Sequence, residues 1–193
     1  MKLFCFALPS LPSSKRSIFP KTDELRDVAS TELAFWPKSL PILTGRAADV
    51  AWLEAYSECV VTVDERLRSR DYGGWCGQNL KALSSGSLSQ WMTDPDFSPP
   101  SGESQTGAYA RLAKWLSDIR DAEKSVILGV DADVVRGLVL LAMGLNAEAA
   151  GKLDILPQSW NVLSFHRTWR VQALSVPDNR ITSEIIFGSE SDR

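Results

Sequence analysis

The chain has 193 residues, 44% of them apolar with seven Trp and seven Phe, enough for one domain with a full hydrophobic core and too few for two. A net charge of −3 excludes the basic field that a phosphate backbone or another acidic polymer requires, so no nucleic-acid partner is expected. Cys5, Cys59 and Cys76 are odd in number and lack a CxxC spacing, which points to reduced thiols in a cytoplasmic protein rather than to a disulfide frame or a zinc site.

Residues 2–7 are of strand length and continuously apolar after Lys2, and Pro9 and Pro12 end the run too early for a signal peptide. No stretch reaches the ~18 apolar residues of a membrane span, so no membrane partner is expected. The Pro- and Ser-rich stretch 9–17 is loop. Thr22 followed by Asp23 and Glu24 suits the start of a helix, predicted over Thr22 to Phe35. A short buried strand is expected over Ser39–Leu43. Thr44-Gly45-Arg46 then opens a helix to about Glu58, and Cys59–Val63 is a third strand.

Residues 64–101 are rich in Gly, Ser and Pro and read as an insertion within the domain, with helical pieces at Gln78–Leu83 and Leu88–Trp91. Trp75, Trp91 and Phe97 require packing partners there, so this segment is no linker. Glu103 to Asp121 carries an apolar stripe of Ala108, Leu112, Trp115, Leu116 and Ile119 and predicts a helix. Ser125–Val130 is the clearest strand, and Asp133–Met143 a helix closed by Gly144. Trp160–Phe165 and Trp169–Leu174 form a hairpin around His166-Arg167-Thr168. Residues 179–193 are a polar tail to a single domain spanning 1–178.

Strands alternating with helices give an α/β fold, a three-layer αβα sandwich around a mostly parallel sheet, in which ligands sit beyond the C-terminal strand ends. Those ends are Phe6 to Leu8, Leu43 to Arg46 and Val130 to Asp133.

Three motifs follow one another in a specific order: Asp71-Tyr72-Gly73-Gly74-Trp75-Cys76-Gly77, Trp91 with Asp94-Pro95-Asp96-Phe97, and Pro99-Pro100-Ser101-Gly102-Glu103-Ser104. The series resembles the histidine phosphatase superfamily in its phosphoglycerate mutase-like and α-ribazole phosphatase-like branch. Leu40-Pro41-Ile42-Leu43-Thr44-Gly45-Arg46-Ala47 is similar to the family's S-P-L-x-R-A-x-x-T stretch, and Gly129-Val130-Asp131-Ala132-Asp133-Val134-Val135-Arg136 to its V-T-H-G-G-V-I-R. The resemblance covers residues 1–175 and implies a phosphoglycerate mutase-like fold.

It also implies a chemistry that these residues cannot perform. In the family a histidine of an R-H-G motif attacks phosphorus, two arginines and a second histidine hold the phosphoryl oxygens, and a carboxylate donates the proton. Carried over, the R-H pair falls on Phe6 and Ala7, the second arginine on Thr44, the proton donor on Ser69 and the second histidine on Asp131. The chain holds one histidine, His166, and it lies in the predicted hairpin. An uncompensated Asp131 carboxylate should also repel a phosphate, since like charges ~4 Å apart at an effective dielectric of ~20 cost about 4 kcal/mol.

The sequence-based expectation is therefore a catalytically degenerate member, a pseudoenzyme that serves as a binding or regulatory module for an unknown small ligand or protein. The alternative is a weak or metal-dependent hydrolase using a remodelled pocket, and a homo-oligomer built on the fold is a third reading. Arg46, Asp133 and Arg136 are the candidate ligand-binding residues, although Arg46 can equally pair with Asp49 and Asp133 can cap its helix. Asp131 with Asp133 lacks the partner cluster of a metal site, and no cofactor is expected. Cys5 is expected to be buried and inert.

Overall fold

Strand β1 (Lys2–Ala7) sets the architecture because its side chains alternate between two cores. Leu3, Cys5 and Ala7 point to one side and pack with Leu112, Trp115, Leu128, Val135 and Leu138. Phe4, Phe6 and Leu8 point to the other and pack with Ile42, Trp52, Leu53, Ile127 and Trp160. A strand apolar on both faces belongs in the middle of a covered sheet, and β1 is central.

The computed structural model describes residues 1–27, 40–57 and 59–178. In chain order the remaining elements are β2 (Ile42–Thr44), α1 (Val50–Ser57), β3 (Val61–Val63), α2 (Ser85–Thr93), α3 (Gln105–Asp121), β4 (Val126–Val130), α4 (Ala132–Ala142), β5 (Ser159–His166) and β6 (Thr168–Pro177). The six strands make one mixed sheet in the order β3-β2-β4-β1-β5-β6. β1 through β4 run parallel. The hairpin strands β5 and β6 are antiparallel to their neighbours. Helix α1 covers one face, while α3 and α4 cover the other.

Glycine allows two of these contacts. A Cβ on Gly129 of β4 would lie 2.5 Å from Leu53 Cδ2, so α1 could not approach the sheet. A Cβ on Gly137 of α4 would lie 2.7 Å from Leu112 Cδ1 of α3. The stripe on α3 is as the periodicity predicts, with Ala108, Leu112, Trp115 and Leu116 all buried.

Residues 64–101 contain short 3₁₀ turns at Glu65–Leu67, Gly73–Trp75 and Leu80–Ala82, besides α2. Their aromatic residues pack on Phe19 of the N-terminal loop, whose ring centroid lies 5.4 Å from those of both Trp75 and Trp91. Phe97 stacks on Trp75 at 5.7 Å.

The structure corrects one predicted element. Residues 22–27 form a turn and irregular chain instead of the first turns of a helix, and 28–35 lie outside the described residues. One of the two acidic residues suited to that helix start is used elsewhere: Glu24 Oε1 accepts from the Ser13 backbone N–H at 2.7 Å.

Candidate functional site

Four parallel strands end in the same direction, and their exits form the floor of a crevice. Phe6 and Ala7 do not reach into it as ligands would. Phe6 is fully buried against Trp160, with ring centroids 5.1 Å apart, and Ala7 is fully buried on the α4 side. Thr44, at the end of β2, is also fully buried, and its hydroxyl has no hydrogen-bond partner among the described residues.

The centre of the crevice is filled by Arg26, a residue the sequence reading leaves without a role. Its side chain is 1% exposed. Nε and Nη2 donate to the two carboxylate oxygens of Asp49 at 2.9 and 3.2 Å. Nη2 also donates to Asp131 Oδ1 and Nη1 to the Pro9 carbonyl. One guanidinium thus ties the exit of β1, the turn before α1 and the start of α4. The planar fork of arginine suits such bidentate pairing, which lysine could not reproduce.

Burial acts against the charge on Arg26, but Asp131 and Asp49 outweigh it and raise its pKa. Burial also pushes Asp49 above the ordinary carboxylate value against the pull of Arg26. With both oxygens held by guanidinium N–H groups, the ion pair is the form this geometry accommodates. For Asp131, burial is outweighed by Arg26 and by the Ser69 hydrogen bond, so its pKa is lowered.

Ser69 extends the network. Its Oγ lies 2.6 Å from Asp131 Oδ2 and 2.9 Å from Asp133 Oδ1. A hydroxyl has one proton to give, so both contacts are hydrogen bonds only if one carboxyl brings a proton of its own. Asp131 faces Arg26 and stays ionised. Asp133 is the carboxyl pushed toward its neutral form, by burial and by the neighbouring Asp131 charge. Ser69 thus bridges the two carboxyl groups, and the chain closes on Arg26 through Asp131.

This arrangement revises several sequence-based readings. Asp131, not Asp133, occupies the N-cap position of α4, and Asp133 sits in the first turn, accepting from the Val134 N–H at 2.9 Å. Asp49 pairs chiefly with Arg26; Arg46 stands 3.9 Å away and donates instead to the Thr22 and Glu24 carbonyls. Arg136 is half-buried, and its Nε has no hydrogen-bond partner among the described residues. The expected repulsion of phosphate assumed an unpaired Asp131, and Arg26 pairs it. What closes the centre is occupancy by a side chain.

Outside the network the crevice has two lobes that share Leu11, Pro20, Ser69, Tyr72 and Asp131, of about 460 and 560 Å³. Arg70 is buried behind them, donating to the Glu103 and Phe97 carbonyls at 2.7 and 2.6 Å with its guanidinium 5.7 Å from the Trp91 ring. Among the described residues, no three His, Cys, Asp or Glu side chains form a metal-ligand cluster. His166 is exposed at the end of β5, in the hairpin. Cys5 is fully buried, and burial pushes its thiol up to about 12.

The model of the histidine phosphatase superfamily (branch 1) matches residues 44–176. The chain belongs to the histidine phosphatase superfamily. Solved structures agree on the fold. A mycobacterial hydrolase is 20% identical with a TM-score of 0.74, covering 91% of this chain and 98% of its own. The α-ribazole phosphatase of Shigella flexneri is 12% identical with a TM-score of 0.75, covering 91% of this chain and 96% of its own. A mycobacterial glucosyl-3-phosphoglycerate phosphatase, solved with inorganic phosphate, is 22% identical with a TM-score of 0.72 over 92% of this chain and 98% of its own. No curated protein matches the sequence. Among the described residues, no helix is long and apolar enough to cross a membrane.

Proposed function

We propose that this member of the superfamily does not hydrolyse phosphomonoesters and acts as a binding or regulatory module through its remodelled strand-end crevice. The observation that supports this most directly is Arg26. Phosphoryl transfer needs a nucleophile and several donors free to converge on the transferring group. Here the one guanidinium at the centre of the crevice is engaged by Asp49 and Asp131, and the single histidine of the chain lies in the hairpin. Phe6, Ala7 and Thr44, at the positions carried over from the family, are packing residues.

The experiment is an assay of p-nitrophenyl phosphate and simple phosphomonoesters from pH 4 to 8, with and without chelator. The expected result is no turnover above background in either condition. Turnover that survives stringent purification and is lost in Asp131→Asn would overturn the proposal. Loss on chelation would redirect it to a metal-dependent hydrolase.

A further inference from the structure

The outer lobe of the crevice, about 460 Å³, has a charge opposite to that of the molecule. Lys21, Arg46, Arg68 and Arg70 border it against Asp71 and Asp131, in a chain whose net charge is −3. Asp131 is already paired with Arg26, and Asp71 Oδ1 is engaged by the Gly73 N–H at 2.8 Å. A concave, low-dielectric wall focuses the field of the remaining cations into the lobe.

Arg46 supplies the sharper observation. Its side chain is 9% exposed, and its nearest carboxylate, Asp49, stands 3.9 Å away and is held by Arg26. Nε and Nη2 are satisfied by the Thr22 and Glu24 carbonyls, whereas the buried Nη1 has no hydrogen-bond partner among the described residues. A buried donor without an acceptor is uncommon and marks a place where an acceptor fits. At the mouth, Lys21 makes no ion pair among the described residues, and Arg68 donates to the Glu65 carbonyl at 3.3 Å and stands 3.8 Å from Glu103. Leu11, Pro20 and Tyr72 supply apolar surface beside these cations.

We propose that this lobe binds a small carboxylate with a flat apolar body. The carboxylate meets Arg46 Nη1 with Arg68 and Lys21 at its outer edge, and the body lies against Tyr72, Leu11 and Pro20. The proposal rests on the reading of the crevice as a binding site. A tetrahedral phosphoryl dianion is the poorer fit. It needs several converging donors, and the Arg26, Arg46 Nε and Arg46 Nη2 donors are already committed. A planar monoanion is served by one buried N–H and two mobile cations.

The test titrates the full chain with benzoate, benzyl alcohol and inorganic phosphate at matched ionic strength, read by amide NMR shifts and thermal melting. Benzoate is expected to give saturable shifts at the lobe and a higher melting temperature, with no saturable response to benzyl alcohol and weaker binding of phosphate. Arg46→Gln should weaken benzoate about tenfold, as loss of a hydrogen bond to a charged group does. Because Arg46 also holds the Thr22 and Glu24 carbonyls, the solvent-facing pair Lys21→Ala with Arg68→Ala serves as a second variant. It should weaken benzoate by about threefold without changing the fold. Equal binding of benzyl alcohol, tighter binding of phosphate, or benzoate binding indifferent to both variants would overturn the assignment. Absence of benzoate binding sinks this inference and leaves the lack of phosphatase activity standing, whereas phosphatase turnover sinks that reading and leaves the carboxylate measurement intact.

Discussion

Arg26 and Arg66 have the same immediate surroundings, one guanidinium between two carboxylates, at opposite depths. The Arg26 side chain is 1% exposed, with Asp49 at 2% and Asp131 at 19%. The Arg66 side chain is 41% exposed, with Asp64 at 21% and Asp118 at 45%. Water can replace any partner that Arg66 loses, and it cannot do so for Asp49. The contact geometries are alike, so depth decides what each arginine contributes: the deep one closes the crevice, while the shallow one fastens a turn to the surface of α3.

The largest effect is therefore expected from Arg26→Ala. It strands a buried carboxylate at Asp49 and leaves Asp131 without its counter-ion, so it should destabilise the fold by about 3–5 kcal/mol. The double variant Arg26→Met with Asp49→Leu removes both charges and should recover much of that loss. Urea unfolding checks both. A single-variant cost no larger than that of a surface pair would show that Arg26 does not hold the crevice shut.

Periodic elements were legible in the sequence for a physical reason. β1, α3, β4, α4 and the β5–β6 hairpin each bury a face whose pattern is local, and each lies where the pattern puts it. The stretch after Thr22 has a helix-start signature, yet Glu24 bonds to Ser13 and the Thr22 and Glu24 carbonyls receive Arg46, so long-range hydrogen bonds override local preference. Arg26 was illegible because its partners lie 23 and 105 residues away, and nothing in its own neighbourhood marks it. Ser69 was placed by resemblance alone, as the position of a missing proton donor. That it bridges two carboxyl groups depends on how the loop after β3 meets α4, which no local pattern encodes.

The Asp133–Ser69–Asp131 chain offers a second, smaller test of depth. Asp133 has a folded-state pKa raised by burial and by Asp131, so its contribution to stability is present below the ordinary carboxylate range and is lost as pH rises through the folded value. Asp133→Asn keeps a neutral donor toward Ser69 and cannot ionise. The variant should match the wild type near pH 4 and become the more stable of the two as pH rises toward 8, by less than the Arg26 effect. Denaturation midpoints across that range test it, and a constant difference would show that the fold does not oppose ionisation of Asp133.

The smallest effect belongs to the shallow arginine. Arg66→Ala removes Nε and Nη2 from Asp64, at 3.0 and 2.8 Å, and Nη1 from Asp118, at 2.6 Å. Asp64 still accepts from the Arg66 backbone N–H at 3.1 Å and from Trp115 Nε1 at 3.0 Å, neither of which depends on the lost side chain. Asp118 keeps Lys114 at 3.3 Å. The variant should therefore lose less than about 1 kcal/mol. Its pH dependence has the opposite sign to that of Asp133. The Arg66 side chain is the first cause holding Asp64 below the ordinary carboxylate value, so the stability it lends is present above that range and lost as pH falls through the folded value. The deficit of Arg66→Ala should accordingly be visible at neutral pH, fade in acid, and shrink in about 0.5 M salt, where exposed charges are screened. The deficit of Arg26→Ala should largely persist in the same salt because Asp49 is shielded from solvent ions. Equal salt sensitivity of the two variants would mean that depth is not what separates the two arginines.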